Sequence, residues 1–327
     1  YHDIGDDKSK KEKLNAIRNF KSINRIKSEN KFQKIVPDDN YDWINKGDKL
    51  FRNFIKLGDK KDKKSIKIFH NYTQGIGTSR DAWSYNYSTD IIRSNIRKLV
   101  NVYNAEVKSK KSFLEAEKNP RLIKWSSSLE THFSKKKKIK FDTSAIVNSY
   151  YRPFNKTKLY IEPMLIHRMG QNMDIFPDHS IENKVIAVSG VGSRNGLSTL
   201  MLDSIADLNI LEAGVQCFPL KIYKKQEELD GLFAKKSSSN GYIATDAITN
   251  EGLENFYNAY PGKKFKKKDL FYYIYGLLHS NQYRDRFRNN LLKELPRIPA
   301  VKKFDDFIKF SKAGKNLGDL HVNYEKA

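Results

Sequence analysis

The sequence of 327 residues is poor in cysteine, in acidic residues and in long apolar runs. Its single cysteine, Cys217, cannot form a disulfide within the chain, which excludes a disulfide scaffold and favours a reducing compartment, so we expect a cytoplasmic protein. No apolar run approaches the roughly 18–20 residues that span a bilayer, so we expect no membrane partner. The chain has no signal peptide and begins with Tyr1 rather than methionine, and we therefore expect it to be part of a longer polypeptide.

Positive charge is what the sequence has in excess. It contains 61 Lys and Arg against 38 Asp and Glu, which gives a formal net charge of +23. Because such a charge opposes compaction through self-repulsion, it predicts a polyanionic partner. A lysine-rich genome is the alternative explanation, but that bias should raise glutamate together with lysine. Hydrophobic residues at 39% and aromatic residues at 12% exclude a disordered polar chain.

The hydrophobic pattern predicts an α+β fold, in which a mixed, strand-rich body precedes a helical C-terminal unit. Ser9 and Glu12 have capping-box spacing and begin a predicted helix over 9–28. The remaining predicted helices lie at about 89–104, 250–259, 269–279, 281–295 and 304–323. The predicted strands lie within 68–87 and at 158–161, 185–188 and 216–220.

The charged, serine-rich segment 224–240 has the composition of a linker. We therefore predict a connecting helix over 1–28, a strand-rich domain over 29–235 and a helical subdomain over 236–327.

A glycine-rich segment over 185–196 is the strongest candidate for nucleotide chemistry. It runs from an apolar strand into a turn, as dinucleotide-binding loops do. Asn195 stands, however, where that fingerprint requires its third glycine, and no lysine follows Gly196 as a P-loop requires. The same loop could instead present backbone N–H groups, Ser193, Asn195 and the guanidinium of Arg194 to a DNA phosphate.

Other catalytic signatures are missing from the sequence. The seven histidines are scattered, with no His-x-Glu or Cys-x-x-Cys spacing for a metal. Adenine methyltransferases need an Asn/Asp-Pro-Pro-Tyr/Phe tetrapeptide to hold the flipped base, and 152–154 and 162–164 do not match it. We therefore expect neither catalysis nor a cofactor in this stretch.

The remaining motifs carry recognition chemistry. The segments 79–86 and 150–154 combine arginine, asparagine and aromatic residues, the side chains that read base edges and bind phosphates. The candidate DNA-binding residues are Arg80, Trp83, Asn86 and Arg152, together with the lysine run Lys135, Lys136, Lys137 and Lys138. The alternative for the arginines and their neighbouring residues is that they only stabilise the protein core. The alternative for the lysines is that they form a loop exposed to solvent.

At these motifs the sequence resembles the C-terminal specificity region of type ISP restriction-modification enzymes. The resemblance covers nearly the whole chain, and its most specific part is the segment 269–280. The matching segments are 75–86, 151–154 with 159–160, 269–280, 283–284, 295–299, 313–321 and 324–325.

The resemblance implies one polypeptide with a nuclease, an ATP-driven helicase-like translocase, an N6-adenine methyltransferase and, last, a domain that recognises double-stranded DNA. Residues 1–14 resemble the last part of the methyltransferase domain, which makes the upstream methyltransferase a partner within the same polypeptide. The parent enzyme would use S-adenosylmethionine, ATP and Mg, whereas only target recognition carries over to this chain.

One consequence concerns the base-reading residues. Members of the family read different DNA sequences yet share the Arg-Asp-Ala-Trp and Arg-Pro-Phe elements. Arg80, Trp83 and Arg152 are therefore expected to build the scaffold or hold the DNA backbone. The base readers are expected within 106–145 or around 193–195.

Two other functions stay open at this point. A basic RNA-binding or ribosome-associated protein would share the charge and the aromatic residues, although no RRM or KH motif is present. A standalone methyltransferase or nuclease would need the motifs that the chain lacks.

Overall fold

The computed structural model describes residues 1–5, 8–37, 43–44, 47–109, 112–178, 180–212, 214–225 and 241–326. The helices are α1 (Lys10–Phe20), α2 (Ile23–Ser28), α3 (Asp81–Ser84), α4 (Thr89–Lys108), α5 (Ser127–Ser134), α6 (Asn172–Ile175), α7 (Asn250–Ala259), α8 (Lys267–Leu278), α9 (Asn281–Arg286), α10 (Arg288–Leu291) and α11 (Phe304–Val322). The strands are β1 (Ile55–Gly58), β2 (Lys67–Phe69), β3 (Thr73–Gln74), β4 (Tyr85–Asn86), β5 (Ile146–Arg152), β6 (Asn155–Tyr160), β7 (Val185–Val188), β8 (Thr199–Leu202), β9 (Ile205–Ala206), β10 (Gln216–Pro219), β11 (Lys221–Lys225), β12 (Tyr242–Asp246) and β13 (Arg297–Ile298). The predicted α+β class is confirmed.

Residues 1–47 form one compact unit and residues 48–327 another. In the first unit, Ser9 caps α1 through the predicted capping box with Glu12. The predicted single helix over 9–28 is wrong, because the chain breaks at Lys21, whose φ of 61° is incompatible with a continuing α-helix. Neither α1 nor α2 contains a buried residue.

The centre of the second unit is an antiparallel sheet with the strand order β3-β10-β7-β8. Successive side chains of a strand point to opposite faces. In β7, Val185 and Ala187 accordingly join one core cluster, whereas Ile186 and Val188 join another. Both faces of this sheet are therefore buried, which explains why β7 is apolar throughout.

Each face of the central sheet packs against a different part of the chain. One face packs on the C-terminal helices, in a cluster that also includes Phe51, Phe69 and Phe271. The other packs on a second sheet, of order β4-β6-β5-β9, in which β5 and β6 form an antiparallel hairpin. A third cluster joins the buried face of α4 to α5 and to the segment that links them.

The C-terminal unit is helical but contributes two short strands. β12 pairs with β11, and β13 pairs with β1. The predicted helix over 281–295 is divided into α9 and α10 at Phe287 and ends at Leu291. The predicted linker over 224–240 begins too early, because Lys224 and Lys225 belong to β11 and pair with β12. The rest of that segment and the predicted boundary after residue 235 lie outside the described residues.

Helix α8 is buried on nearly all sides, as its apolar sequence predicts. Phe271, Ile274, Leu277 and Leu278 are all buried, which confirms the core expected there. Within the described parts of the chain, no helix has the length and apolar character to cross a membrane.

Candidate nucleic-acid interface

Arg80 is buried at the start of α3, with 2% of its surface exposed. Its Nε donates to the carbonyl oxygen of Lys124 at 3.1 Å, and its Nη2 donates to the Ser126 hydroxyl at 2.8 Å. Its Nη1 donates to the carbonyl oxygen of Leu165. Burial lowers the pKa of Arg80 to about 10. Every guanidinium nitrogen thus has a protein acceptor, and the side chain joins three separate segments.

Arg152 lies at the end of β5 and is partly exposed, at 42% of its side chain. Its guanidinium stacks on the Tyr151 ring at 3.9 Å and pairs with the buried Asp207 carboxylate at 2.8 Å. Burial raises the pKa of Asp207, whereas the Asn209 backbone N–H and Arg152 oppose that rise by stabilising the charged carboxylate. Arg152 is therefore engaged by the protein on one side and open to solvent on the other.

The two sequence motifs that carry Arg80 and Arg152 meet in space. The Tyr151 hydroxyl donates to the Asp81 carboxylate at 3.3 Å, and the rings of Tyr85 and Tyr151 lie 4.7 Å apart. Trp83 is partly buried against the cluster around α4. The side-chain oxygen of Asn86 accepts from the Ser88 backbone N–H at 2.9 Å, just before α4 begins. These side chains hold the start of α4 and the β5–β6 hairpin together.

Lys135 to Lys138 follow α5 and all four are exposed. The Lys136 N–H donates to the Phe133 carbonyl at 2.8 Å and the Lys137 N–H to the His132 carbonyl at 3.1 Å, which is the Schellman pattern of helix termination. Lys136 takes the left-handed position with a φ of 53°, where glycine is usual. The lysine run therefore begins where α5 ends.

The lysine run is also fixed to α4. The Tyr103 hydroxyl donates to the Lys137 carbonyl oxygen at 2.9 Å. Asn104 exchanges hydrogen bonds with the backbone of Ile139, at 2.8 Å and 3.0 Å. The backbone is therefore held while the ammonium groups remain in solvent, an arrangement that suits contact with phosphates.

The glycine-rich segment is the loop of a β-hairpin, because β7 pairs antiparallel with β8, with Val188 opposite Thr199. Dinucleotide-binding loops and P-loops lead from a strand into a helix instead. Gly192 and Gly196 both have positive φ, at 85° and 76°, which glycine adopts without strain. The fold therefore gives this loop no helix N-terminus for a nucleotide phosphate.

One carboxylate organises that loop. Oε2 of Glu212 accepts hydrogen bonds from the Ser193 hydroxyl at 3.0 Å and from the backbone and side-chain nitrogens of Asn195, each at 3.1 Å. These bonds, above all the Asn195 backbone N–H, lower the pKa of Glu212. Arg194, between the two clamped residues, is 93% exposed and lies 3.7 Å from the same carboxylate. Ser193 and Asn195 therefore fix the loop, and Arg194 projects from it.

Sequence inspection missed Glu212 and Asp207. Each acts through a partner far along the chain, and neither belongs to a recognisable motif. The pairing of β7 with β10 brings Glu212 to the loop after β7, and the pairing of β5 with β9 brings Asp207 to Arg152. A co-varying pair in aligned sequences would be the signal able to reveal such contacts.

A cavity of about 400 Å³ lies beside β5, outside all of the candidate residues. Its polar lining includes Asn148, Lys156 and Asp203, and its apolar lining includes Phe176. The described residues contain no group of three or more His, Cys, Asp or Glu side chains with the arrangement of a metal site.

Comparison with known proteins places the chain in a family. The family model for the Type ISP C-terminal specificity domain matches residues 67–327. One similar solved structure is the ATP-dependent Type ISP restriction-modification enzyme LlaBIII bound to DNA, with 32% identity, a TM-score of 0.81, and coverage of 99% of this chain and 20% of that chain. A nuclease-deletion mutant of the Type ISP enzyme LlaGI in complex with a DNA substrate mimic matches with 32% identity and a TM-score of 0.77. The match covers 99% of this chain and 28% of that chain.

A cryoEM structure of a DrdV–DNA complex matches with 28% identity, a TM-score of 0.79, and coverage of 96% of this chain and 30% of that chain. This chain thus spans less than a third of the length of these relatives. Comparison with curated proteins gave no match. The resemblance inferred from the sequence is confirmed, and the chain belongs to the family of Type ISP C-terminal specificity domains.

Proposed function

We propose that this chain recognises a specific sequence in double-stranded DNA for a type ISP restriction-modification enzyme. The observation that carries the proposal is the likeness of 99% of the chain to part of an enzyme of this type in a DNA complex. The formal net charge of +23 and the exposed cations on clamped loops support the same function. Family membership favours DNA over the alternative of RNA or ribosome binding.

Within this function the candidate residues fall into three groups. Arg80, Asn86 and Arg152 hold the recognition fold together through hydrogen bonds and an ion pair with other protein groups. Trp83 does so by packing against the cluster around α4. Lys135 to Lys138 contact DNA phosphates, which positions the protein without reading sequence. Arg194 reads a base, because a guanidinium that projects from a fixed loop can donate two hydrogen bonds to guanine.

The remaining activities belong to other domains of the parent enzyme. N6-adenine methylation and ATP-dependent cleavage, with S-adenosylmethionine, ATP and Mg as cofactors, would lie upstream in the same polypeptide. We assign α1 as the surface that docks on that upstream methyltransferase domain. Leu14 and Ile17 support this assignment, because they lie one turn apart and are 45% and 54% exposed.

Titration of the purified chain with labelled duplex DNA at several salt concentrations tests the function. A protein that makes ~6–10 phosphate contacts loses about 10³–10⁵ in affinity between ~50 and ~200 mM salt. Changing Lys135–Lys138 to glutamine should weaken binding to all duplexes alike and lower the salt slope by about one for each phosphate that is no longer neutralised.

The matched control changes four other exposed lysines to glutamine, namely Lys264, Lys268, Lys302 and Lys312. An equal reduction in affinity in both variants would show that the run acts only through net charge. Failure of the unmodified chain to bind duplex DNA, or methyl transfer that persists through repurification, would contradict the proposed function.

A further inference from the structure

The loop between β1 and β2 contains a short repeat. Residues 59–65 are Asp-Lys-Lys-Asp-Lys-Lys-Ser, and we call them the double-lysine loop. Oδ1 of Asp59 accepts from the backbone N–H groups of Lys61 and Asp62, at 2.8 Å and 3.0 Å. Oδ1 of Asp62 accepts from those of Lys64 and Ser65, at 3.0 Å and 3.1 Å. Both halves of the repeat thus have the same backbone turn.

A buried lysine joins the two turns through hydrogen bonds to both of them. Lys67 is 3% exposed, and its ammonium donates to the carbonyl oxygens of Asp59 at 2.8 Å and Asp62 at 2.6 Å. An ammonium removed from water is costly unless it is hydrogen-bonded, so these two bonds hold Lys67 and both turns in place together. The loop backbone therefore has a defined shape before any partner binds.

The carboxylates of Asp59 and Asp62 both form contacts with neighbouring protein groups. The Lys56 ammonium lies 2.8 Å from the Asp59 carboxylate and 3.8 Å from that of Asp62. Burial raises the pKa of Asp59, but the Lys56 contact and the two backbone N–H donors outweigh it and lower the pKa to about 2. Both carboxylates are therefore engaged by backbone N–H groups and by Lys56.

The exposed side of the loop is cationic. Lys60, Lys61, Lys63 and Lys64 are exposed, and only Lys60 has a ring contact, over Tyr72 at 4.6 Å. Four ammonium groups within five residues repel one another, and a polyanion relieves that repulsion. The lysine run after α5 has the same combination of a hydrogen-bonded backbone and exposed cationic side chains.

We propose that the double-lysine loop is a second contact for the phosphodiester backbone of duplex DNA, on a different element from Lys135–Lys138. The inference rests on the proposed DNA-binding function and adds a site to it. The loop positions the protein along the duplex and does not read its sequence, because ammonium groups on flexible stems bind phosphates as point charges.

The test compares two triple variants of the full 327-residue chain in the same salt titration with duplex DNA. One variant is K61Q/K63Q/K64Q, and its charge-matched control is K264Q/K268Q/K312Q. We expect the affinity of the loop variant to fall about tenfold or more for specific and random duplexes alike, with the salt slope lower by about 0.9 for each phosphate that is no longer neutralised. An equal fall in affinity in the two variants would overturn the inference.

A single substitution distinguishes the effect of loop shape on DNA affinity from the effect of net charge. Asp62→Ala removes an acceptor of two backbone N–H groups and raises the net charge by one. If the fixed loop matters, affinity falls although the protein becomes more positive; if affinity stays or rises, the shape of the loop has no role. Asp62 is 51% exposed, so thermal unfolding should confirm an intact fold.

The experiments also distinguish failure of the proposed function from failure of this inference alone. If the unmodified chain fails to bind duplex DNA, the proposed function itself fails. If the loop variant binds DNA normally but no longer binds vesicles of anionic lipid that the unmodified chain binds, the loop is a membrane contact and the inference is wrong.

Discussion

At the scale of single residues, the arginines differ in what their guanidinium groups contact. Arg80 is enclosed and donates to three protein oxygens. Arg152 is intermediate, since it stacks on Tyr151 and pairs with Asp207. Arg194 is almost fully exposed beside Glu212. The same side chain therefore serves as an internal cross-link in one place and remains available to a partner in another.

Arg80→Lys should destabilise the fold without changing DNA recognition in the molecules that remain folded. A lysine cannot reproduce the planar fork that reaches the Lys124, Ser126 and Leu165 oxygens, so we expect a decrease of roughly 2–4 kcal/mol in the free energy of unfolding. Urea unfolding measures this decrease. Unchanged stability together with weaker binding to specific and random duplexes alike would instead make Arg80 a phosphate contact.

Arg194→Ala should relax the preference at one base position and leave the salt slope nearly unchanged. A guanidinium that donates two hydrogen bonds to guanine contributes ~1–3 kcal/mol of discrimination. Binding to a library of randomised duplexes measures the preference, and Lys312→Ala, which removes one exposed charge elsewhere, is the control. Equal weakening on specific and random DNA would mean that the loop only binds phosphate.

At the scale of elements, the contact between α8 and α11 depends on two glycines. A Cβ on Gly314 would lie 2.0 Å from the Tyr272 carbonyl oxygen and 2.7 Å from the Gly276 nitrogen. The buried positions of α11 recur at helical spacing and are small where the backbones meet. The glycines of this segment, which carries part of the family resemblance, thus have a packing role.

Gly314→Ala should force the two helices apart and cost about 1–3 kcal/mol or more, as overpacking does. Gly318→Ala is a matched control on the same helix, because the three atoms nearest to its Cβ all belong to the Met201 side chain, and the closest is the terminal Cε at 3.0 Å. Alanine also favours a helix over glycine by up to about 1 kcal/mol, so the control should be close to neutral. Thermal unfolding of both variants checks this, and equal destabilisation would argue against a close backbone contact.

At the scale of the whole molecule, a small polar network joins the central sheet to the C-terminal helices. The Tyr275 hydroxyl accepts from the Met201 N–H at 2.8 Å and also bonds His321. His279 bonds the Tyr275 carbonyl oxygen at 2.9 Å and the Thr199 hydroxyl at 3.1 Å. Burial lowers the pKa of both histidines below the ordinary value of 6.5. The folded protein therefore favours their neutral forms.

Acidification should consequently weaken the fold. Below about pH 6.5 the histidines of the unfolded chain bind protons that the folded chain excludes, so stability present above that pH declines as the pH falls. Denaturant unfolding at about pH 7.5 and about pH 5.5 measures the decline. A variant with both His279 and His321 changed to glutamine should show a smaller decline between the two conditions, and an equal decline would assign the effect to other groups.

The sequence by itself determined the fold class, the family and the elements whose pattern is local. The capping box at Ser9 and the buried run of α8 follow from residues close together in the chain, and both are confirmed. The resemblance was recognisable for the same reason, since its motifs are short contiguous segments. The domain boundaries and the DNA-contact residues stay predictions.

Only the tertiary structure decided which polar side chains form hydrogen bonds within the protein and which remain exposed for a binding partner. Arg80 and Arg194 are alike in sequence, and what separates them is whether distant segments supply acceptors: Leu165 is 85 residues from Arg80. Glu212 and Lys67 gained their roles in the same way, through strand pairing and through burial under a turn. Such contacts are set by how the elements pack, and no local pattern encodes them.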